Sequence, residues 1–202
     1  MRTTNGHVIR NLPARERILL TAHELFYAAG IRATGVDRVI AESGVTKVTF
    51  YRHFPSKNDL IRAFLEYRHQ RWMAWFTEAL QRHGRVSQSN GLDALVPALV
   101  EWFRDDNFRG CAFINSVGEL SGTLSEVIKI ARRHKQEMTT IIASLLPASR
   151  QRNQDAQAIA LAVDGAIVRA QIDETPDTAL KGLARILKSF QAGTGRRDAA
   201  GR

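Results

Sequence analysis

A single cysteine in 202 residues, Cys111, excludes an internal disulfide framework and any cysteine-rich zinc module. No apolar run approaches the roughly 20 residues that a membrane-spanning helix needs. The opening "MRTTNGHVIRNLPARER" lacks the apolar core of a secretory signal, so a cytoplasmic protein with no membrane partner is expected. The period-two alternation of half-buried strands is missing throughout. Nucleotide loops, G-x-S-x-G and H-E-x-x-H are missing too, and the six histidines have no ligand spacing. Neither a catalytic site, a metal site nor a cofactor is therefore expected. Acidic residues are also in short supply, 20 against 29 lysines and arginines. The imbalance is denser at the front. Residues 1–70 hold eleven basic against six acidic side chains, and the remaining 132 hold eighteen against fourteen. A basic front half suits phosphate contact, although charge alone does not separate that from a generally basic soluble protein.

What is present is helical periodicity. Pro13 suits a helix start, and Ile18, Ala22, Leu25, Phe26 and Ala29 form a stripe that ends at Gly30. His23 lies off that stripe and is expected at the surface. Val36, Val39 and Ile40 open a second helix, and Ser43-Gly44-Val45 is a tight turn in which Gly44 can turn left-handed. Thr46 then caps a short helix from Lys47 to about Phe54. Phe50 and Phe54 face inward, so Val48, Thr49 and Arg52 face out, flanked by Lys47, Tyr51 and His53. That is a helix-turn-helix, whose outer face offers donors for phosphates and base edges and a methyl-bearing side chain for thymine.

Ser56 and Asp59 begin a long fourth helix that is expected to reach about Arg82. It has two apolar sides: Leu60, Phe64, Tyr67 and Trp75 on one, Ile61, Leu65, Trp72 and Phe76 on the other. "GRVSQSNG" (84–91) reads as a linker. Further stripes follow at Leu92–Phe103, with Pro97 marking a kink or a later start, and over Cys111–Leu120. Thr123 and Glu126 have capping-box spacing for a helix that ends at Pro147. An alanine-rich stretch over 155–172 and a last helix from about Asp177 to Phe190 complete the chain. The expected fold is all-α, with about nine helices. The expected organisation is a DNA-binding head over 1–55, a helical body over 56–192 and a disordered tail over 193–202. The basic terminus with Arg2 and Arg10 is read as a loose arm.

The run "GVTKVTFYRHFPSKNDLI" closely resembles the end of the DNA-binding domain of TetR-family transcriptional regulators. The shared features are Gly44-Val45, a small polar Thr46, the Tyr51-x-His53-Phe54 cluster and Lys57 opening the next helix. "ARERILLTAHELFYAAGIRATGVDRVIAESG" is similar to the family's first helix and the start of its second. The resemblance covers about residues 14–66. Val48 departs from it, standing where members often carry Gly, Ala or Pro, so base preference does not carry over there.

The resemblance implies that Tyr51 and Lys57 hold phosphates and that Lys47, Val48 and Thr49 face bases and nearby backbone. Thr34 either donates to a phosphate or caps the second helix. It implies further a homodimer on a pseudo-palindromic stretch of double-stranded DNA, paired through the last two helices. Ala160, Gly165, Leu183 and Leu187 are the candidate contact positions. Bodies in this family commonly enclose an effector pocket. Trp72, Trp75, Trp102, Phe103 and Phe113, with Asn115 and Glu119 as polar groups, are the candidate lining for a small apolar or aromatic effector. The expected function is a repressor released by that effector. The alternative is a helix-turn-helix protein controlled by a protein partner or by oxidation of Cys111.

Overall fold

The computed structural model describes residues 11–87 and 91–200, with side chains over 11–85 and 91–191. Among them are nine α-helices and no strand: α1 Ala14–Ala29, α2 Val36–Ser43, α3 Lys47–His53, α4 Lys57–Ser87, α5 Leu95–Phe103, α6 Ala112–Leu120, α7 Glu126–Ser144, α8 Arg152–Ile172 and α9 Asp177–Ala200. A 3₁₀ turn, Gly91–Ala94, precedes α5. The arm with Arg2 and Arg10 lies outside the described residues. The long helix α4 runs to Ser87, so its last turn occupies the first half of what the sequence offered as linker, 84–91. Pro97 sits inside the first turn of α5, where its missing N–H costs no intrahelical bond, in keeping with a later start at Leu95. Thr123 does not cap α7. Its hydroxyl donates to the Leu120 carbonyl 3.2 Å away and closes α6 instead.

The helices fall into two compact units. The first holds residues up to Trp72 together with Cys111–His134; the second holds Met73–Gly110 and the chain from Lys135 onward. In the first unit Ile18, Ala22, Leu25 and Phe26 of α1 are buried with Val39, Phe50, Phe54, Leu60 and Phe64. Phe26 meets Phe64 edge to face at 5.4 Å between ring centroids, the arrangement that ring quadrupoles favour. Phe50 is the only fully buried side chain of α3, and with Phe54 it ties that seven-residue helix to the fold. A helix this short is not stable alone, so its geometry comes from those two rings.

In the second unit α8 packs on α9, and Ala156, Ile159, Ala160, Val163 and Ile167 of α8 are buried, as are Leu180, Leu183 and Leu187 of α9. Alanines in that face allow close approach of the two backbones. Three of the four positions offered as subunit contacts, Ala160, Leu183 and Leu187, are thus used up inside the chain, at 7%, 2% and 4% exposure. Gly165 faces out. Around it Ala158, Leu161, Val168 and Ile172 follow at alternating steps of three and four, and Leu161 and Ile172 are among the most exposed large apolar side chains.

Candidate nucleic-acid interface

The candidate surface is built from the Gly44 turn, the Thr46 cap and the short helix α3 that follows them. Gly44 closes α2 in the left-handed region, at φ 64° and ψ 35°, and the Gly44 and Val45 amides donate back to the Ala41 and Ile40 carbonyls. The chain then re-enters helix at Thr46, whose hydroxyl accepts from the Thr49 amide at 3.2 Å and lies 2.9 Å from the Thr49 hydroxyl. With its first turn capped, α3 presents Lys47, Val48, Tyr51 and Arg52 to solvent, and Thr49 and His53 at its half-buried edge. Val48 is 70% exposed. A valine so placed contributes nothing to the core and is free to meet a thymine methyl. Lys47 has only a loose, exposed pairing with Asp37 at 3.8 Å, weak enough for a phosphate to displace.

Two arginines that the sequence did not single out lie beside this surface. Arg15 stacks over the Phe54 ring with its guanidinium carbon 5.3 Å from the centroid, and Arg17 reaches the Gly44 carbonyl at 3.5 Å. Both belong to α1, about thirty residues earlier, and nothing in "ARER" distinguishes them from ordinary solvated arginines.

Lys57 opens α4 as expected but also makes an internal contact, and Thr34 is placed differently from expectation. Lys57 is half-buried at the start of α4 and donates to the Ile31 carbonyl at 2.7 Å. Burial pushes its ammonium below the ordinary lysine range, and the Glu119 carboxylate acts in the other direction. Ser56 caps the helix there, accepting from the Asp59 amide at 3.1 Å. Thr34 is fully buried, its hydroxyl donating to the Gly30 carbonyl at 2.8 Å, and the residue capping α2 is Gly35. Neither role offered for Thr34 fits: the hydroxyl is spent inside, and the cap is one residue later.

The seven effector candidates are not gathered in one unit. Trp72 and Phe113 belong to the first, where both pack on His134. The Phe113 ring stacks on the imidazole at 3.7 Å between centroids and 18° between planes, and Trp72 meets it edge-on at 5.0 Å. Trp75, Trp102 and Phe103 belong to the second, in a cluster with Phe108. There the Trp75 indole donates to Glu101, which also receives Arg82. Asn115 is half-buried on α6. Glu119, at the far end of α6 from Phe113, accepts from the Arg32 amide at 2.8 Å and so faces the head's first turn.

The first unit also buries polar groups that the sequence reading passed over. His69 and His134 sit with their Nδ1 atoms 3.2 Å apart, one donating to the other. Arg68, 3% exposed, stacks on Tyr27 at 3.8 Å and lies 3.3 Å from the His23 Nε2. His23 is therefore not a surface residue. Burial, with the Arg68 and Arg71 cations behind it, pushes its imidazole down to about 3, so it is neutral near pH 7. A signal for these groups did exist. Arg68 fills the gap in the stripe Ile61, Leu65, Trp72, Phe76, and His134 fills the one between Ala131 and Met138. Cys111 is buried at the N-cap position of α6, in the field of Arg68.

No described helix is long and apolar enough to cross a membrane. Among known proteins, the family profile for bacterial regulatory proteins of the tetR family matches residues 18–64. The chain is similar to the crystal structure of a TetR-family transcriptional regulator from Streptomyces coelicolor. Their identity is 30% and the TM-score 0.74, over 87% of this chain and 95% of that one. It is 25% identical over 147 residues to the transcriptional repressor BepR of Brucella suis, covering 69% of this chain and 68% of that protein. It is 40% identical over 53 residues to the HTH-type transcriptional regulator YerO of Bacillus subtilis, a match that spans 18% of that protein's length.

Proposed function

The chain belongs to the TetR family of transcriptional regulators, and from that premise we propose a homodimeric repressor that leaves its operator when a small apolar or aromatic effector binds. It is a helix-turn-helix DNA-binding regulator and not an enzyme. The observation that carries the reading is the division of α3. Phe50 is fully buried, whereas Lys47, Val48, Tyr51 and Arg52 are exposed on a capped helix. Lys47, Val48 and Thr49 read bases and the backbone beside them. Tyr51, Lys57, Arg15 and Arg17 hold phosphates. The division of the chain into a head over 1–55 and a regulatory body after it belongs to the same proposal, as does a cytoplasmic location.

Repression is supported by the similarity to BepR, which covers most of both chains. Dimerisation is supported by the outer seam of α8, with Leu161 at 74% and Ile172 at 69% exposure, and by Ile186 on α9 at 42%. Two-fold pairing there sets half-sites about one DNA turn, roughly 34–36 Å, apart. An apolar effector is supported by the aromatic clusters around Trp72 and around Trp102. Control by oxidation is disfavoured by Cys111 itself, which at 3% exposure offers oxidants little access.

The test is fluorescence anisotropy of DNA from the gene's own promoter region, against scrambled DNA of equal length and across a salt series. Selective binding is expected, with a salt slope that falls by about one unit per subunit in Lys57→Ala. Changes at Lys47 or Thr49 should alter the preferred bases by roughly 1–3 kcal/mol. Equal affinity for both DNAs refutes the reading. Light scattering of Leu161→Arg checks the seam, with a monomer as the expected result.

A further inference from the structure

The turn between α1 and α2 is held from outside the helix-turn-helix. Its backbone leaves helix at Gly30, with φ 89° and ψ 155°, and resumes at Val36. Three successive residues in it are bound by three side chains. The Gly30 carbonyl accepts from the Thr34 hydroxyl at 2.8 Å, the Ile31 carbonyl from Lys57 at 2.7 Å, and the Arg32 amide donates to Glu119 at 2.8 Å. Thr34 is local and Lys57 opens the next long helix, but Glu119 comes from α6, 87 residues away. Its carboxylate lies close against Gly30: a β-carbon there would stand 3.3 Å from the Glu119 Oε1. The same carboxylate works on Lys57 electrostatically, holding its charge up against burial.

The far end of α6 is fixed as well. Phe113 in its first turn stacks on His134, and Ser116 donates to the Ala112 carbonyl at 2.6 Å. One short helix thus has its beginning in the buried imidazole cluster and its end on the turn that aims α2 and, through the Gly44 turn, α3.

The geometry points to Glu119 as a positioning residue for DNA binding: by gripping the Arg32 amide it sets the direction in which the reading helix is presented, without touching DNA. This rests on α3 being the reading helix. Simple electrostatics makes the opposite forecast. A carboxylate beside a phosphate-binding lysine repels DNA, so removing its charge would by itself strengthen binding to every sequence. The two effects differ in sign and can be separated.

Glu119→Gln removes the charge and keeps an oxygen that can accept from Arg32. Glu119→Ala removes both, and Glu119→Asp keeps the charge on a side chain one methylene too short. Operator affinity and amide hydrogen exchange at Arg32 are to be measured on the full chain of each. The Gln variant is expected to bind as tightly as the parent or more so, with Arg32 still protected. The Ala variant should bind about fivefold to tenfold more weakly than Gln, the size of one neutral hydrogen bond, and Arg32 should exchange freely. The Asp variant should resemble Ala, which covers the case in which Ala fails to fold. Parent-like affinity and exchange in Ala or Asp overturns the inference. The exchange readout needs no DNA, so a parent that binds no DNA selectively refutes α3 as reader, whereas unchanged Arg32 exchange refutes Glu119 as its positioner.

Discussion

Two glycine turns bracket α2, and they are held by different means. At Gly44 every principal contact is local. The backbone bonds reach back to Ile40 and Ala41, the Thr46 cap reaches forward to Thr49, and the one distant partner, Arg17, stands at a long 3.5 Å. At Gly30 the local contact is the Thr34 hydroxyl, and the other two grips come from α4 and α6. The backbones differ accordingly. Gly44 is left-handed helical, which asparagine or even alanine can adopt under mild strain. Gly30, at φ 89° and ψ 155°, occupies a region that is essentially glycine's alone. The α2–α3 pair is thus a self-contained piece, and its attachment to α1 is where the rest of the first unit has a say.

The sharpest way to break this contrast is a pair of alanine substitutions. Gly30→Ala should destabilise by about 2–3 kcal/mol, because strain adds to the crowding against Glu119. Gly44→Ala should lose only about 1–2 kcal/mol, since its nearest neighbour to a new β-carbon is an Arg17 nitrogen 3.8 Å away. Urea unfolding would compare them, and an equal or reversed order would show that the two turns are alike. The hydroxyls give a smaller version of the experiment. Thr34→Val leaves a buried carbonyl short of its partner and should cost about 1–2 kcal/mol. Thr46→Ala removes an exposed cap and should cost about 1 kcal/mol, with thermal midpoints as the measure.

Between pH 7 and 6 the smallest effect is a pH dependence on the α1 side of Gly30. His23 holds a folded pKa near 3 against an ordinary 6.5. Between those values the unfolded chain takes up a proton that the folded one refuses, so stability falls as pH drops through that window. The fall attributable to His23 should be under about 1 kcal/mol from pH 7 to 6, steepening below to at most ~1.4 kcal/mol per pH unit. His23→Gln should flatten this part of the stability profile. A profile that keeps its full slope would show that the acid sensitivity resides elsewhere.

The same contrast explains which features were legible in the sequence. Gly44, Thr46, Phe50 and Phe54 lie within eleven residues, and helical spacing alone tells which way each side chain faces. The family's short motif falls on that stretch for the same reason. The Glu119 contact with Arg32 leaves no local trace, so Glu119 read as a polar group for an effector. His23 read as exposed because its partner, Arg68, is 45 residues away. Trp72 and Trp75, three residues apart, looked like one lining; one packs on His134 and the other on Trp102, in different units. On α8 the apolar residues run all round the helix. Composition could not say that Ala160 is buried while Leu161 faces solvent.

The division of labour within α3 has a consequence for how such a protein changes over generations. Phe50 and Phe54 carry the helix's attachment, and Val48, Tyr51 and Arg52 carry almost none of it. On the proposed function, substitution at these outer positions is nearly invisible to folding while visible to the DNA. A duplicated copy of this gene could drift to a new DNA address one residue at a time without passing through an unfolded ancestor. The inner rings resist such drift, so diversity among descendants should collect on the exposed positions of this seven-residue helix.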